Sequence, residues 1–464
     1  MRFNKNLIFA ILANILSTLV SAFVTLLLPK RISTESFGYF QLFLFYVSYV
    51  GMLHLGWPDG FYLVKCGEEY NKLNRKKVWG QLVVFFIMQM IISIAVCSAS
   101  LLFVSDSDKR TVFFLVGIMT VITNVRLFLL YILQATARIK EFSISTIVGL
   151  ALYIVCVSIF MLLKIDAYEP YIYANMLSVF APLVVGLYYN KSVLLSGLEP
   201  LRVILSETKE YIVAGFKILI ANLAGSFIIG VMRWAIEYQW DVTVFGKISL
   251  TITVSNLFMT LINAIALVLL PMLRRMKKDK LAPLYSHLNI VLLTSIFAAM
   301  MLYYPIQQVL MYWLPDYSDS LVYMSLLLPI CVFESKNALI LTTYLKTLRK
   351  ENAIMTINLI TLGLSAVLCC ISVMLLKNIP LAMFFIIIAL AFRCIISELY
   401  LSKQMGIPVN EPIIIELMLS AAFIVFNWCI GGWIGLLLYC ASIVIYIVLK
   451  NKTIKLAYRT VIKG

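Results

Sequence analysis

The chain has 464 residues, 62% of them hydrophobic and 13% charged, with a formal net charge of +16. Soluble domains run near half apolar and a quarter charged, so this composition excludes a soluble enzyme or a solvated scaffold. The positive charge invites a nucleic-acid partner, and its distribution along the chain removes that partner.

Fourteen apolar runs reach the roughly 20 residues that a helix needs to span a bilayer. They lie at about 7–29, 38–57, 79–104, 111–134, 142–163, 170–190, 212–231, 243–270, 285–306, 321–345, 353–376, 380–401, 412–430 and 433–449. The last two also read as one re-entrant pair. The first follows Arg2 and Lys5 and ends near Ser21-Ala22, as a signal peptide does. It is too long for a signal core and more helices follow, so a retained helix is expected. With the N-terminus cytoplasmic, the cytoplasmic segments hold 26 Lys and Arg, the outer loops 7 and the helices 5. That asymmetry follows the positive-inside rule. It gathers Arg75-Lys76-Lys77, Arg274-Arg275-Met276-Lys277-Lys278 and the stretch from Lys450 to Lys463 on one side, with both termini in the cytoplasm. Membrane lipids, not nucleic acid, are the expected partners of this charge.

Runs 1 to 6 recur as runs 7 to 12 at an offset of about 208 to 210. Ala13-Asn14 precedes Phe37-Gly38 as Ala221-Asn222 precedes Phe245-Gly246. Lys140-Glu141-Phe142-Ser143-Ile144-Ser145-Thr146-Ile147 is echoed by Lys350-Glu351-Asn352-Ala353-Ile354-Met355-Thr356-Ile357. An even number of crossings per unit makes the repeats parallel, the usual basis of alternating-access transport. The expected fold is an all-α integral membrane protein of 14 transmembrane helices, with two parallel six-helix repeats forming lobes around a central cavity. The expected domains are 1–210 (six-helix lobe and cytoplasmic linker), 211–405 (second lobe) and 406–464 (appended helices 13 and 14 with a basic cytoplasmic tail). The joint Lys191 to Tyr211 suits either an interfacial helix or a polar linker.

Sites of chemistry are sparse. There is no G-x-x-x-x-G-K-[ST] and no H-E-x-x-H, and the only histidines are His54 and His287. His54, beside Leu55-Gly56-Trp57, suits a packing role better than a proton relay. The nine cysteines show no C-x-x-C and no metal spacing, and read as small apolar packing residues. No outer loop exceeds about 15 residues, which leaves no folded domain for catalysis. No catalytic residue, metal or cofactor is therefore expected, and the chain is not read as an enzyme.

What remains is charge inside the membrane, which tends to face a cavity or a partner. Arg126, Lys217, Lys247, Lys336 and Arg393 are the cations, and Glu334 and Glu398 the acids. At offset 210, Arg126 superposes on Lys336 and Asn124 on Glu334. Cations repeated at one depth suit a lumen that receives a phosphate or pyrophosphate; the bland alternative is local pairing. Glu334 and Lys336, two apart, do not face each other. For Arg126 and Lys336 the lumen is favoured, Lys217 is balanced, Arg393 suits a snorkelling pair with Glu398, and Lys247 suits outward snorkelling. Glu334 is the candidate for ion coupling. Asn14, Asn222 and Asn124 are polar lumen or gate candidates, against interhelical hydrogen bonding as the simpler role.

Leu28-Pro29-Lys30-Arg31-Ile32-Ser33-Thr34-Glu35-Ser36-Phe37-Gly38-Tyr39-Phe40-Gln41-Leu42 resembles the helix 1 to helix 2 junction of bacterial polysaccharide flippases. Gly56-Trp57-Pro58-Asp59-Gly60-Phe61-Tyr62, followed by Gly67-Glu68-Glu69-Tyr70, resembles their helix 2 exit. These flippases belong to the multidrug/oligosaccharidyl-lipid/polysaccharide exporter superfamily, and the doubled plan extends the likeness over about residues 1–405. The resemblance implies two lobes around a cavity open alternately to each side of a bacterial cytoplasmic membrane. It implies an undecaprenyl-pyrophosphate-linked oligosaccharide as substrate, for O-antigen, capsule or exopolysaccharide, with polysaccharide polymerases and glycosyltransferases nearby. By placement Arg126, Lys336 and Lys217 match its cationic lumen, and Arg31 matches by motif; Lys247 and Arg393 complete the candidate set. Two extra terminal helices are common in the related lipid II flippases. A cation-coupled drug or metabolite antiporter is the second reading, which the sparse acids disfavour. A membrane glycosyltransferase or polymerase is the third, which the short outer loops disfavour.

Overall fold

The computed structural model describes residues 2–255, 273, 278–408 and 410–463. All regular structure among them is helical. Among the described residues thirteen helices are long and apolar enough to cross a membrane, and Val242–Ser255 is a shorter apolar one. In lipid, a helix satisfies every backbone N–H and C=O within its own segment, which is why the hydropathy pattern maps so directly onto this architecture. The chain is a multi-pass, all-α membrane protein. Most of the expected run 243–270 and of the basic cluster at 274–278 lies outside the described residues.

The chain divides into two compact units, Met1–Leu223 and Ala224–Gly464. The first contains α1 (Arg2–Leu27), α2 (Thr34–Val50), α3 (Trp57–Lys65), α4 (Arg75–Phe103), α5 (Ser107–Ala135), α6 (Ile139–Leu162) and α7 (Glu169–Tyr189). Polar residues start these helices by accepting from otherwise unused N–H groups. Ser33 accepts from Ser36 N at 3.2 Å, Asn74 from Lys77 N at 3.2 Å and Asp106 from Lys109 N at 2.9 Å. The run expected at 38–57 stops early, because Leu55 and Gly56 turn the chain through left-handed φ values of 56° and 76°. Pro58, in the first turn of α3, then starts a short helix where a loop was expected.

Of the joint expected at Lys191 to Tyr211, residues 201–211 are the start of α8 (Leu201–Gln239), a single 39-residue helix. Gln81 of α4 receives a 2.9 Å bond from Trp57 Nε1 and a 3.0 Å bond from Thr208 Oγ1, and donates to Ile204 O at 2.8 Å. Lys77 reaches Glu207 at 2.7 Å. Around this polar knot Trp57, Phe61, Phe85, Phe128 and Tyr211 pack as a buried aromatic core.

The second unit holds α9 (Val242–Ser255), α10 (Lys278–Ala299), α11 (Tyr303–Trp313), α12 (Met324–Thr347), α13 (Glu351–Cys369), α14 (Ile379–Met405), α15 (Asn410–Ile424), α16 (Gly432–Leu449) and α17 (Asn451–Lys463). The span containing α15 and the span formed by α16 are each long enough to cross. The expected basic tail is instead the helix α17, which packs on α10 with Ile454 and Ala457 buried and Tyr458 Oη 2.7 Å from Ser295 Oγ.

Helix ends in the two units share backbone detail. Ala137 and Arg349 both take left-handed φ, at 57° and 54°, as do Lys164 and Lys377, at 54° and 47°. Arg138 N donates to Leu133 O, and Lys350 N to Leu345 O, each at 2.8 Å. Equivalent helices in the two units therefore end through the same C-terminal hydrogen bonding.

Candidate functional site

In the first unit, α5 carries two of the expected site residues to different fates. Asn124 is fully buried and donates to Val50 O at 3.2 Å and to Gln89 Oε1 at 2.8 Å. Gln89 in turn donates to Leu53 O at 3.1 Å. Asn124 thus ties α4 and α5 to the end of α2, which corrects its assignment as a lumen or gate residue. Arg126, half-buried two residues on, is different. Its Nε is buried without a hydrogen-bond partner, and no carboxylate pairs with it among the described residues.

Asn14, Asn222, Lys217 and Arg31 are exposed on their elements. Among the described residues no hydrogen bond joins the side chain of Asn14 or Asn222 to a neighbouring helix.

Nearby, Asp59 of α3 accepts from Tyr131 Oη at 3.3 Å and lies 3.7 Å from His54 Nε2. His54 Nδ1 accepts from Gly56 N at 3.0 Å, a local bond that fits its packing role. Burial pushes the Asp59 carboxyl up to about 6, against the bond from Tyr131, which lowers it. Because its folded value is raised, the group favours the native state at low pH, and that stability is lost as pH climbs from about 4 through 6. Asp59→Asn should therefore flatten the stability profile across this window and stabilise the protein at pH 7 by up to about 3 kcal/mol. Thermal melts of both proteins in lipid nanodiscs at pH 4.5 and pH 7, values spanning roughly that window, check this; parallel profiles would refute it.

The second unit gathers five ionisable side chains from three helices. Within α12 a π-helical stretch begins at Lys336 and runs to Leu341. Such insertions re-aim side chains and concentrate at functional sites. Lys336 Nζ, with no exposed surface, donates to Glu398 Oε2 of α14 at 2.5 Å and to Glu416 of α15. Glu398 also accepts from Tyr285 Oη at 2.9 Å and Asn289 Nδ2 at 3.3 Å, both on α10. Glu334 is bound by Arg393 of α14.

Three expectations change here. Lys336 is held by two carboxylates instead of standing free as a lumen cation. Arg393 pairs with Glu334 and not with Glu398. Glu334 is consequently engaged, not an isolated coupling acid. Lys247 makes a loose 3.8 Å contact with Asp319, whose side chain is 89% exposed.

Glu416, Tyr285 and Asn289 are the members that sequence reasoning missed. Glu416 carried a usable signal, as an acid inside the apolar run 412–430. Among the described residues no group of three or more His, Cys, Asp or Glu is arranged to hold a metal.

No family model matches the sequence, and no curated protein matches it. Solved structures do match. The lipid II flippase MurJ in an inward closed conformation aligns with a TM-score of 0.66 at 14% identity, covering 96% of this chain and 99% of that one. This is the fold of the MOP superfamily transporters. A multidrug resistance MATE family transporter of that superfamily matches in its inward-facing conformation with a TM-score of 0.62, at 14% identity and 85% and 94% coverage of the two chains. An outward-facing MATE structure matches at 0.57, again at 14% identity, covering 86% of this chain and 94% of that one. At such identities the likeness is one of fold, and these neighbours are transporters and flippases, not enzymes.

Proposed function

We propose that the protein is a flippase that carries undecaprenyl-pyrophosphate-linked oligosaccharide from the cytoplasmic to the outer leaflet of a bacterial cytoplasmic membrane, by alternating access, for surface polysaccharide synthesis. The observation that carries this reading is Arg126: a guanidinium on a membrane helix, with no acid to neutralise it and its Nε unbonded among the described residues. An unpaired cation at such a position is costly unless an anionic group visits it. A pyrophosphate offers that partner, since planar guanidinium groups bind phosphate oxygens in pairs. Support also comes from the whole-length likeness to a lipid II flippase, which extends over the appended helices. Arg31 and Lys217, exposed on the same unit, are proposed as further contacts for the anionic head, with Asn14 and Asn222 as polar contacts for the sugars. Both termini are proposed to lie in the cytoplasm, with polysaccharide polymerases and glycosyltransferases as functional neighbours.

A cation-coupled antiporter of the same fold is the second reading, favoured by the three acids gathered around Lys336 and Arg393. Cells depleted of the protein distinguish the two. The flippase reading expects loss of surface glycan with lipid-linked intermediates retained on the inner leaflet; intact glycan with new sensitivity to cationic drugs favours the antiporter. In complementation, Arg126→Ala should lower glycan export ten- to hundredfold at unchanged protein level, the scale of one lost charge-assisted hydrogen bond. Full export by that variant would remove Arg126 from the substrate path. Arg126 alone is the informative change, because Lys336 has a structural role that a double variant would confound.

A further inference from the structure

The ion cluster of the second unit does not balance. Among the described residues Glu334 and Arg393 cancel, but Lys336 alone faces two carboxylates, Glu398 and Glu416. The side chains of that triad are 0%, 1% and 4% exposed, so an uncompensated negative charge would sit where water cannot screen it. Full ionisation of all three groups is therefore the unfavourable state.

Unused polar atoms mark the same place. Among the described residues Glu416 Oε1 and Asn289 Oδ1 are buried without a hydrogen-bond partner, and Asn289 already touches the triad through Glu398. Ser420 Oγ is also buried and unbonded, one turn along α15 from Glu416, on the same helix face. A pocket lined by Asn289, Ile415, Tyr446, Glu411 and Lys450 lies beside the cluster. It joins Asn289 to the Glu411–Lys450 ion pair, whose side chains are 70% and 34% exposed. The pocket therefore stops at Asn289, whose amide touches Glu398, and opens toward the partly exposed Glu411–Lys450 pair.

We propose that this cluster is a proton-binding site, with Glu416 taking one proton at Oε1 from water that enters by the pocket. The proton adds to the carboxylate and no other bond breaks; Lys336 remains an ammonium held by Glu398. The groups around Glu416 bear this out by charge. Lys336 and Glu334 come from α12, Arg393, Cys394 and Glu398 from α14, and Tyr285 from α10, while Glu411 and Lys450 cancel at the mouth. Neutral Glu416 bonds Lys336 less strongly, so proton load acts on the seating of α15, the first of the appended helices, against α12. That this drives substrate movement rests on the transporter reading; the site itself does not.

Infrared spectroscopy of the full-length protein in lipid nanodiscs tests the site without any substrate. The expected result is a protonated-carboxyl signal of one group that Glu416→Gln removes and Glu411→Gln leaves in place. An undiminished signal in Glu416→Gln, or displacement of the wild-type signal by sodium but not by choline, overturns the proposal. Should Glu416→Gln not fold, Ser420→Ala must shift the band, and an unshifted band likewise overturns it. Because protonation is read directly, failure here leaves the flippase reading standing, and failure of glycan export leaves this site standing.

Discussion

Lys336→Met is expected to destabilise the second unit by about 3–5 kcal/mol, the range seen when one member of a buried ion pair is removed. The substitution nearly preserves side-chain length and leaves Glu398 and Glu416 facing one another without the ammonium both of them bind. Removing one of those charges should recover much of the loss, so Lys336→Met with Glu416→Gln is expected to be more stable than Lys336→Met alone. That sign of coupling is the signature of a shared network, and a double-mutant cycle by thermal unfolding in nanodiscs reads it. Lys247→Met is the comparison: its contact with the exposed Asp319 is long, and exposed pairs contribute at most about 1 kcal/mol. Equal effects of Lys336→Met and Lys247→Met would show that the triad holds nothing together.

Gly215→Val should be at least as damaging, for a steric reason. A Cβ at Gly215 would run into the carbonyl of Gly56 and the amide of Gly60, and a Cβ at Gly60 would run into the carbonyl of Tyr211. Here the backbones of α3 and α8 touch, and backbone cannot move aside as a side-chain tip can. Gly56 is fixed further by its φ of 76°. Overpacking a yielding core costs about 1–3 kcal/mol, and this site has less room to yield, so about 3 kcal/mol or more is expected. The readout is the yield of monodisperse protein and its melting midpoint. Gly363, in α13, has open space around its Cβ position, so Gly363→Ala should be neutral or slightly stabilising. A well-folded Gly215→Val protein would mean that α3 and α8 are not seated in this close contact.

Much of this architecture was legible before any coordinates. The long apolar runs located the spans, because a helix in lipid must satisfy its own backbone and needs about 20 apolar residues to cross. The echo between Lys140–Ile147 and Lys350–Ile357 suggested the repeat, and a left-handed residue lies shortly before each stretch, Ala137 and Arg349. The boundary of α8 was less legible. Charges among residues 201–211 look like a linker, yet Glu207 and Thr208 are used up by Lys77 and Gln81 of α4, which hydropathy does not register.

The site divides in the same way. The sequence alone determined which ionisable residues enter the membrane, since that is a property of each apolar run. It placed Arg126 and Lys336 at equivalent positions and offered no way to tell them apart. Only the tertiary structure decided that Arg126 meets no acid among the described residues while Lys336 meets Glu398 and Glu416, which are 62 and 80 residues away. The physical reason is that neighbours three and four apart on one helix follow from local geometry, whereas a partner on another helix depends on which faces pack together. Charge at membrane depth is therefore readable from order alone, but its neutralisation is a property of the fold.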